Sequence, residues 1–189
     1  MPVRITPARA VQLYVDYLNL VLNTILTDSR LGRIPRGPNY VIDRYQGGEF
    51  KPLELTPQGF LHFRQFVTRV ATHIQVESYR YTYSMSADRD DEDAWVYRYE
   101  YEREPPSCDV PQAHLHINAL AQHGLLLRRS LKRTHFPTMR ISVEHLIWHL
   151  IEEGGVTPKV PRDEALEKLA FSYSGFMKRR TEIPLARFP

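Results

Sequence analysis

Apolar side chains in the first part of the chain recur every three or four residues. This spacing predicts a long amphipathic helix that begins at Thr6-Pro7, where threonine can cap the helix and proline suits its first turn. The apolar stripe consists of Ala10, Leu13, Tyr14, Tyr17, Leu18, Val21, Leu22 and Ile25. The glycines and prolines between Arg30 and Pro38 then predict a break in regular structure.

A second helix is predicted after a short hairpin or loop at residues 40–55. Thr56-Pro57 repeats the helix-start signal. The apolar residues that follow it at helical spacing are Phe60, Phe63, Val67, Val70 and Ile74.

The middle of the chain alternates between aromatic and mostly polar residues, which is typical of β-strands with one buried face. Two such runs flank an acidic loop at residues 88–93, and together they predict an antiparallel hairpin. The aromatic positions are Tyr79, Tyr81, Tyr83, Trp95, Tyr97, Tyr99 and Tyr101. The opposite face carries Arg80, Thr82, Ser84, Val96, Arg98, Glu100 and Glu102.

A third strand is predicted at residues 113–119, and a short one at residues 136–141. Ser142 then suits the cap of a helix that Gly154-Gly155 ends. Its predicted buried stripe is Val143, Leu146, Ile147, Leu150 and Ile151. A final helix is predicted from about Arg162 to Arg179.

This order of elements predicts an α+β fold, in which an antiparallel aromatic sheet packs with amphipathic helices at both ends of the chain. We expect one domain over residues 1–189. It divides into a helical N-terminal region (1–76), a core of sheet and helix (77–153) and a C-terminal helix (160–181).

Composition narrows the class of protein. The single cysteine, Cys108, excludes a disulfide scaffold. The absence of a long apolar run and of a signal-peptide pattern predicts no membrane partner and a cytoplasmic location. Glycine-rich phosphate loops and the nucleophile elbow of α/β-hydrolases are also missing from the sequence, so no cofactor is expected.

The predicted catalytic residues are His114 and His116. On a strand, residues two apart point to the same face, so these imidazoles and the amide of Asn118 lie together. Imidazole can both accept and donate a proton near neutral pH. RNA cleavage needs both steps, since a base activates the ribose 2′-hydroxyl and an acid protonates the departing oxygen. Two partly exposed histidines on the polar face of a strand, without a function, are the alternative interpretation.

Cations that follow this strand suit a phosphate ligand, in keeping with a formal net charge of +3. We predict that substrate binding involves Asn118 together with Arg128, Arg129, Lys132, Arg133 and His135. Two alternatives stay open at this point. One is a non-catalytic module that binds protein or nucleic acid, and the other is a zinc-dependent hydrolase.

The zinc alternative requires more ligands than the paired histidines provide, because zinc sites commonly have three or four. His135 or Asp109 would complete the set, but no second pair has a recognisable spacing, so no metal ligand is assigned. His145 and His149 share a helix face, yet Leu146 stands where a zinc-protease helix needs glutamate, and we interpret them as surface histidines.

The region from Tyr79 to Glu153 resembles the TumE-like toxins of toxin–antitoxin pairs. The motifs are the tyrosine–arginine hairpin, His114-Leu115-His116, and the segment from Phe136 to Leu146 that enters a helix at Ser142. This resemblance implies a ribonuclease-like toxin with RNA as substrate and a cognate antitoxin protein as partner. The terminal helices then offer a surface for the antitoxin or for a homodimer. Ala113 stands where the family tends to have aspartate.

Overall fold

A computed structural model describes residues 6–55, 59–70, 73–118 and 135–177. Within these ranges three helices accompany one antiparallel sheet, which confirms the α+β prediction. The helices are α1 (Pro7–Ile25), α2 (Val143–Glu152) and α3 (Arg162–Met177). The strands are β1 (Gly32–Arg36), β2 (Asn39–Gln46), β3 (Glu49–Lys51), β4 (Leu53–Glu54), β5 (Phe60–Val70), β6 (His73–Ser84), β7 (Trp95–Glu102), β8 (Ala113–Ile117) and β9 (Phe136–Pro137).

The main sheet has the strand order β1-β2-β5-β6-β7-β8-β9, with β3 beside β2 and β4 beside β5. The aromatic hairpin is β6–β7, and its register places Tyr81 opposite Tyr99. Its tyrosines are 8% exposed or less and belong to the same core as the apolar stripes of α1 and α2. The helices therefore cover one face of the sheet and leave the other available for a site.

The helix caps predicted at Thr6 and Ser142 are present. The side chain of Thr6 accepts a hydrogen bond from the Arg9 amide, and that of Ser142 accepts one from the His145 amide. The predicted stripe of α2 is buried throughout. None of the described helices is long and apolar enough to cross a membrane.

The prediction of a second helix after Thr56-Pro57 is wrong, because the segment forms β5 and the start of β6. Apart from His62, which is also buried, the buried positions follow a period of two, which fits a strand: Leu61, Phe63, Gln65 and Val67. Gln65 concealed this period in the sequence, since a polar residue was not expected in the core. It is buried because its amide hydrogen-bonds to the hydroxyls of Tyr14 and Tyr81.

The predicted break between Arg30 and Pro38 is also only partly right. Residues Gly32–Arg36 form β1, and the two residues after them make the turn into β2. Pro35 is compatible with this strand because β1 lies at the end of the strand order, where a missing amide hydrogen costs no ladder bond.

Gly59 precedes β5 in a backbone conformation that side chains rarely adopt, with a φ of 110°. A Cβ atom there would lie 2.7 Å from Cε2 of Tyr83, which is buried. We expect Gly59→Ala to lower the free energy of unfolding by about 1–3 kcal/mol, through both strain and the steric clash. Chemical denaturation of the two proteins measures this difference in the free energy of unfolding. Gly32→Ala is the control, since its Cβ would meet nothing closer than 3.9 Å, and equal losses in the two variants would contradict the prediction.

Candidate functional site

The face of the sheet opposite the tyrosines carries a row of charged side chains set by strand register. Arg64 on β5 lies opposite Arg80 on β6, Arg80 opposite Glu100 on β7, and Glu100 opposite His114 on β8. Directly opposed residues on neighbouring strands have side chains within contact distance on the same face. Across the sheet, two arginines are therefore followed by one glutamate and then by a histidine.

A second row runs beside the first. Thr82 on β6 lies opposite Arg98 on β7, and Arg98 lies opposite His116 on β8. His114 and His116 thus share this face, as their spacing predicted. Both are only 4% exposed, whereas the alternative interpretation of the sequence was a pair of partly exposed histidines.

His135 joins this pair to form the histidine cluster (His114, His116 and His135). It precedes β9, whose pairing with β8 places Phe136 opposite Leu115. The ring centroids are 4.9 Å apart for His114 and His116, 4.6 Å for His114 and His135, and 4.5 Å for His116 and His135. One nitrogen from each ring lies within 4.8 Å of the others. His135 is the exposed member of the cluster.

Glu100 connects the histidine cluster to two arginines. Its Oε1 lies 2.5 Å from Arg80 Nε and 3.1 Å from Arg98 Nε. Its Oε2 lies 3.3 Å from His114 Nε2 and 3.2 Å from His116 Nε2. Burial alone would raise the pKa of Glu100, but the contact with His116 and the charges of Arg80 and Arg98 outweigh it and lower the pKa to about 2. Glu100 is therefore a poor proton acceptor at neutral pH and acts as a fixed negative charge.

The tautomer of His114 follows from its backbone contact. Its Nδ1 lies 2.8 Å from the carbonyl oxygen of Pro111, which can only accept a hydrogen bond. Nδ1 therefore carries the hydrogen, and in neutral His114 the Nε2 lone pair faces Glu100. Neither ring nitrogen of His116 makes an aligned hydrogen bond within the described part of the chain. Burial and the neighbouring His116 and His114 lower the pKa of His135, which favours its neutral form.

An open cleft of about 1500 Å³ extends over this face of the sheet, and His114, His135 and Glu100 contribute to its lining. Its arginines are Arg64, Arg80, Arg89 and Arg98, and its acidic residues are Asp90, Glu92, Glu100 and Glu102. Positive and negative residues are thus equal in number along the wall. His116 does not line the cleft.

The arginines at the far end of the cleft are held by one buried carboxylate. Asp43 is fully buried, and its oxygens lie 2.8 Å from Arg64 Nε and 3.2 Å from Arg89 Nη2. Both guanidinium groups also lie over the ring of Phe50, at 4.3 and 5.6 Å from its centroid. This arrangement fixes the direction of two of the four arginines.

The structure brings together three of the predicted site residues, His114, His116 and His135. The amide nitrogen of Asn118 lies 2.8 Å from the backbone carbonyl of Trp95, so this side chain anchors the start of β7 rather than the cluster. The remaining predicted cations lie outside the described residues: Arg128, Arg129, Lys132 and Arg133.

Sequence reasoning missed the role of Glu100 and of the strand arginines. It placed Arg80, Arg98 and Glu100 on the polar face of a hairpin, but did not give them a function. Their pairing with one another and with β8 depends on register, which a strand pattern alone does not fix.

No family model, no curated protein and no solved structure matches the chain. The resemblance to TumE-like toxins therefore stays a prediction, and the geometry of the site carries the functional argument.

Proposed function

We propose that the protein is a hydrolase that cleaves phosphodiester bonds of RNA in the cleft between the histidine cluster and the arginines. The observation that carries this proposal is the common location of His114 and His135 with Arg80 and Arg98 along one open wall. Imidazole supplies the chemistry of cleavage, and guanidinium groups suit the phosphate they would act on.

The size of the cleft favours a polymer as substrate. Pockets for small molecules commonly measure about 300–1000 Å³, and this cleft exceeds that range. Phe66 lines it with 39% of its surface exposed, and so offers an aromatic face for an unpaired base. A single strand is the form of RNA whose bases are free to stack in this way.

Two of the imidazoles belong to the wall of the cleft. His114 and His135 line it, and His135 is the exposed one, whereas His116, the partner predicted for His114 from the sequence, does not line the cleft. Imidazoles at these positions can transfer protons themselves or hold a metal ion that activates water. In either case, removal of His114 takes away a group on which cleavage depends.

The test is cleavage of end-labelled single-stranded RNA by the purified protein, with and without added Zn²⁺. We expect the wild type to cleave RNA. The rate of His114→Gln should be lower by a factor of about 100 or more, which is the contribution of a general acid–base group. His145→Gln is the matched control, because His145 contacts Tyr173 on α3 and lies away from the cleft. Its rate should stay within a few-fold of the wild type.

Two results would contradict the proposal. One is that the wild type cleaves no RNA, either with or without Zn²⁺. If it then binds RNA and leaves it intact, the non-catalytic binding module is favoured. The other is unchanged cleavage by His114→Gln. The toxin role implied by the resemblance adds a cellular readout, since expression of the wild type should inhibit growth and expression of His114→Gln should not.

A further inference from the structure

The spacing of the donor atoms around Glu100 matches that of ligands around a tetrahedral metal ion. Zinc ligands at about 2.0–2.1 Å from the ion lie about 3.3 Å from one another in a tetrahedron. Glu100 Oε2 lies 3.3 Å from His114 Nε2 and 3.2 Å from His116 Nε2. Two of the ligand-to-ligand distances of such a site are thus already present.

His114 is oriented as a metal-ligating histidine commonly is. Such residues usually donate their other ring N–H to a carbonyl or carboxylate, which fixes the tautomer and makes the ligating nitrogen more basic. The carbonyl of Pro111 has this role at Nδ1. Nε2 then faces the carboxylate of Glu100, and either a second ring proton or a metal ion between the two groups makes this contact favourable.

His116 provides an independent observation. Its side chain is 5% exposed, and both ring nitrogens lack an aligned hydrogen bond within the described ranges. A buried polar atom without a partner costs about 1–3 kcal/mol. A proton on His116 Nε2 would satisfy only the contact between this nitrogen and Glu100. A single metal ion would accept lone pairs from several members of the cluster at once.

From this geometry we infer that His114, His116, His135 and Glu100 bind one divalent transition-metal ion of the zinc class. Three nitrogen donors and one carboxylate oxygen suit zinc and its transition-metal neighbours, whereas magnesium and calcium prefer oxygen donors alone. The nitrogens lie within 4.8 Å of one another, so the widest pair needs to close by about 1.5 Å to reach the tetrahedral spacing. His135 is the exposed member, so its side chain is the one that packing restrains least in closing this distance.

The inferred ion would lie at the end of the cleft that carries His135. There it would stabilise negative charge on a phosphate oxygen that enters as a fifth ligand. This catalytic consequence rests on the proposed function, but metal binding does not and is tested without RNA.

The experiment is a calorimetric titration of the untagged, chelator-treated full chain with Zn²⁺. We expect one equivalent to bind the wild type, and affinity to fall about 100-fold or more in His116→Ala and in His135→Ala, because each substitution removes a direct ligand. His145→Gln is the control, since His145 lies on α2 against Tyr173 and its substitution should leave affinity unchanged. Titration with Mg²⁺ should give no binding at the same concentrations.

His135→Ala protects this test against misfolding, because an exposed residue can be replaced with little effect on the core. Denaturation of each chain adds a second readout. Zn²⁺ should raise the free energy of unfolding of the wild type and of His145→Gln, and should leave His116→Ala and His135→Ala unchanged. The inference is overturned if the wild type binds no Zn²⁺, or if His135→Ala and His116→Ala bind it as the wild type does.

The failure of this inference can be told apart from failure of the proposed function. Stoichiometric Zn²⁺ binding without RNA cleavage leaves the metal site standing and removes the ribonuclease proposal. Cleavage that persists in a wild type that binds no Zn²⁺ removes the metal site and leaves proton transfer by the histidines.

Discussion

Replacing Asp43 with alanine is expected to lower the free energy of unfolding by about 3–5 kcal/mol, the cost of leaving buried charges without their partner. Asp43 is fully buried and forms ion pairs with Arg64 and Arg89, whose side chains are each 30% exposed. These arginines come from β5 and from the loop before β7. Asp43 on β2 therefore connects these two segments through its two ion pairs, and both pairs are lost with one carboxylate.

Chemical denaturation measures this loss, and Asp28→Ala supplies the comparison. Asp28 also forms an ion pair, with Lys159, but its side chain is 92% exposed. Exposed pairs contribute about 0–1 kcal/mol. If the two variants lost similar amounts of stability, Asp43 would not hold the arginine end of the cleft together. Asp43→Asn keeps the shape of the side chain and serves as the milder variant should alanine prevent folding.

Replacing Glu100 with glutamine is expected to reduce RNA cleavage by about 100-fold or more with little loss of stability. The amide can still accept a hydrogen bond from Arg80 or Arg98 and donate one to His114 Nε2, so the fold is kept. It no longer supplies the negative charge that Glu100 places between the arginines and the histidines. Since Glu100 is also one of the four inferred metal ligands, its substitution should weaken Zn²⁺ binding as well.

Glu102→Gln is the matched control for this change. Glu102 lies on the same strand and the same cleft wall, two residues away, but it is opposite Ser78 rather than between a histidine and an arginine. We expect it to cleave RNA at nearly the wild-type rate. The measurements are the steady-state cleavage rate and the free energy of unfolding of both variants. Wild-type activity in Glu100→Gln would remove Glu100 from the mechanism.

The hairpin and the paired histidines were predictable because they depend on side-chain alternation alone. A period of two specifies which residues share a face, so the positions of Tyr79 to Tyr101 and of His114 and His116 could be inferred directly. The cap at Ser142 is likewise a local signal. These are the parts of the fold in which sequence neighbours determine the structure.

The parts that were missed depend on contacts between distant residues. Gln65 is buried only because Tyr14 on α1 and Tyr81 on β6 satisfy its amide, and without that knowledge β5 resembled a helix. Glu100 gained a role only from the register of β7 against β8. His135 was considered as a third ligand, but the pairing of β9 with β8 is what brings it beside the other two.

The pairing of Glu100 with His114 has a consequence for how this protein can change during evolution. In β8, the residues that alternate with the histidines belong to the helix-covered face. An insertion of one residue at the start of this strand would turn both histidines toward the tyrosines and expose the apolar positions. Insertions near the exposed Cys108 would leave the alternation of side chains along β8 unchanged. Related sequences should therefore vary in length between β7 and β8, while the alternation of histidine and apolar positions within β8 stays constant.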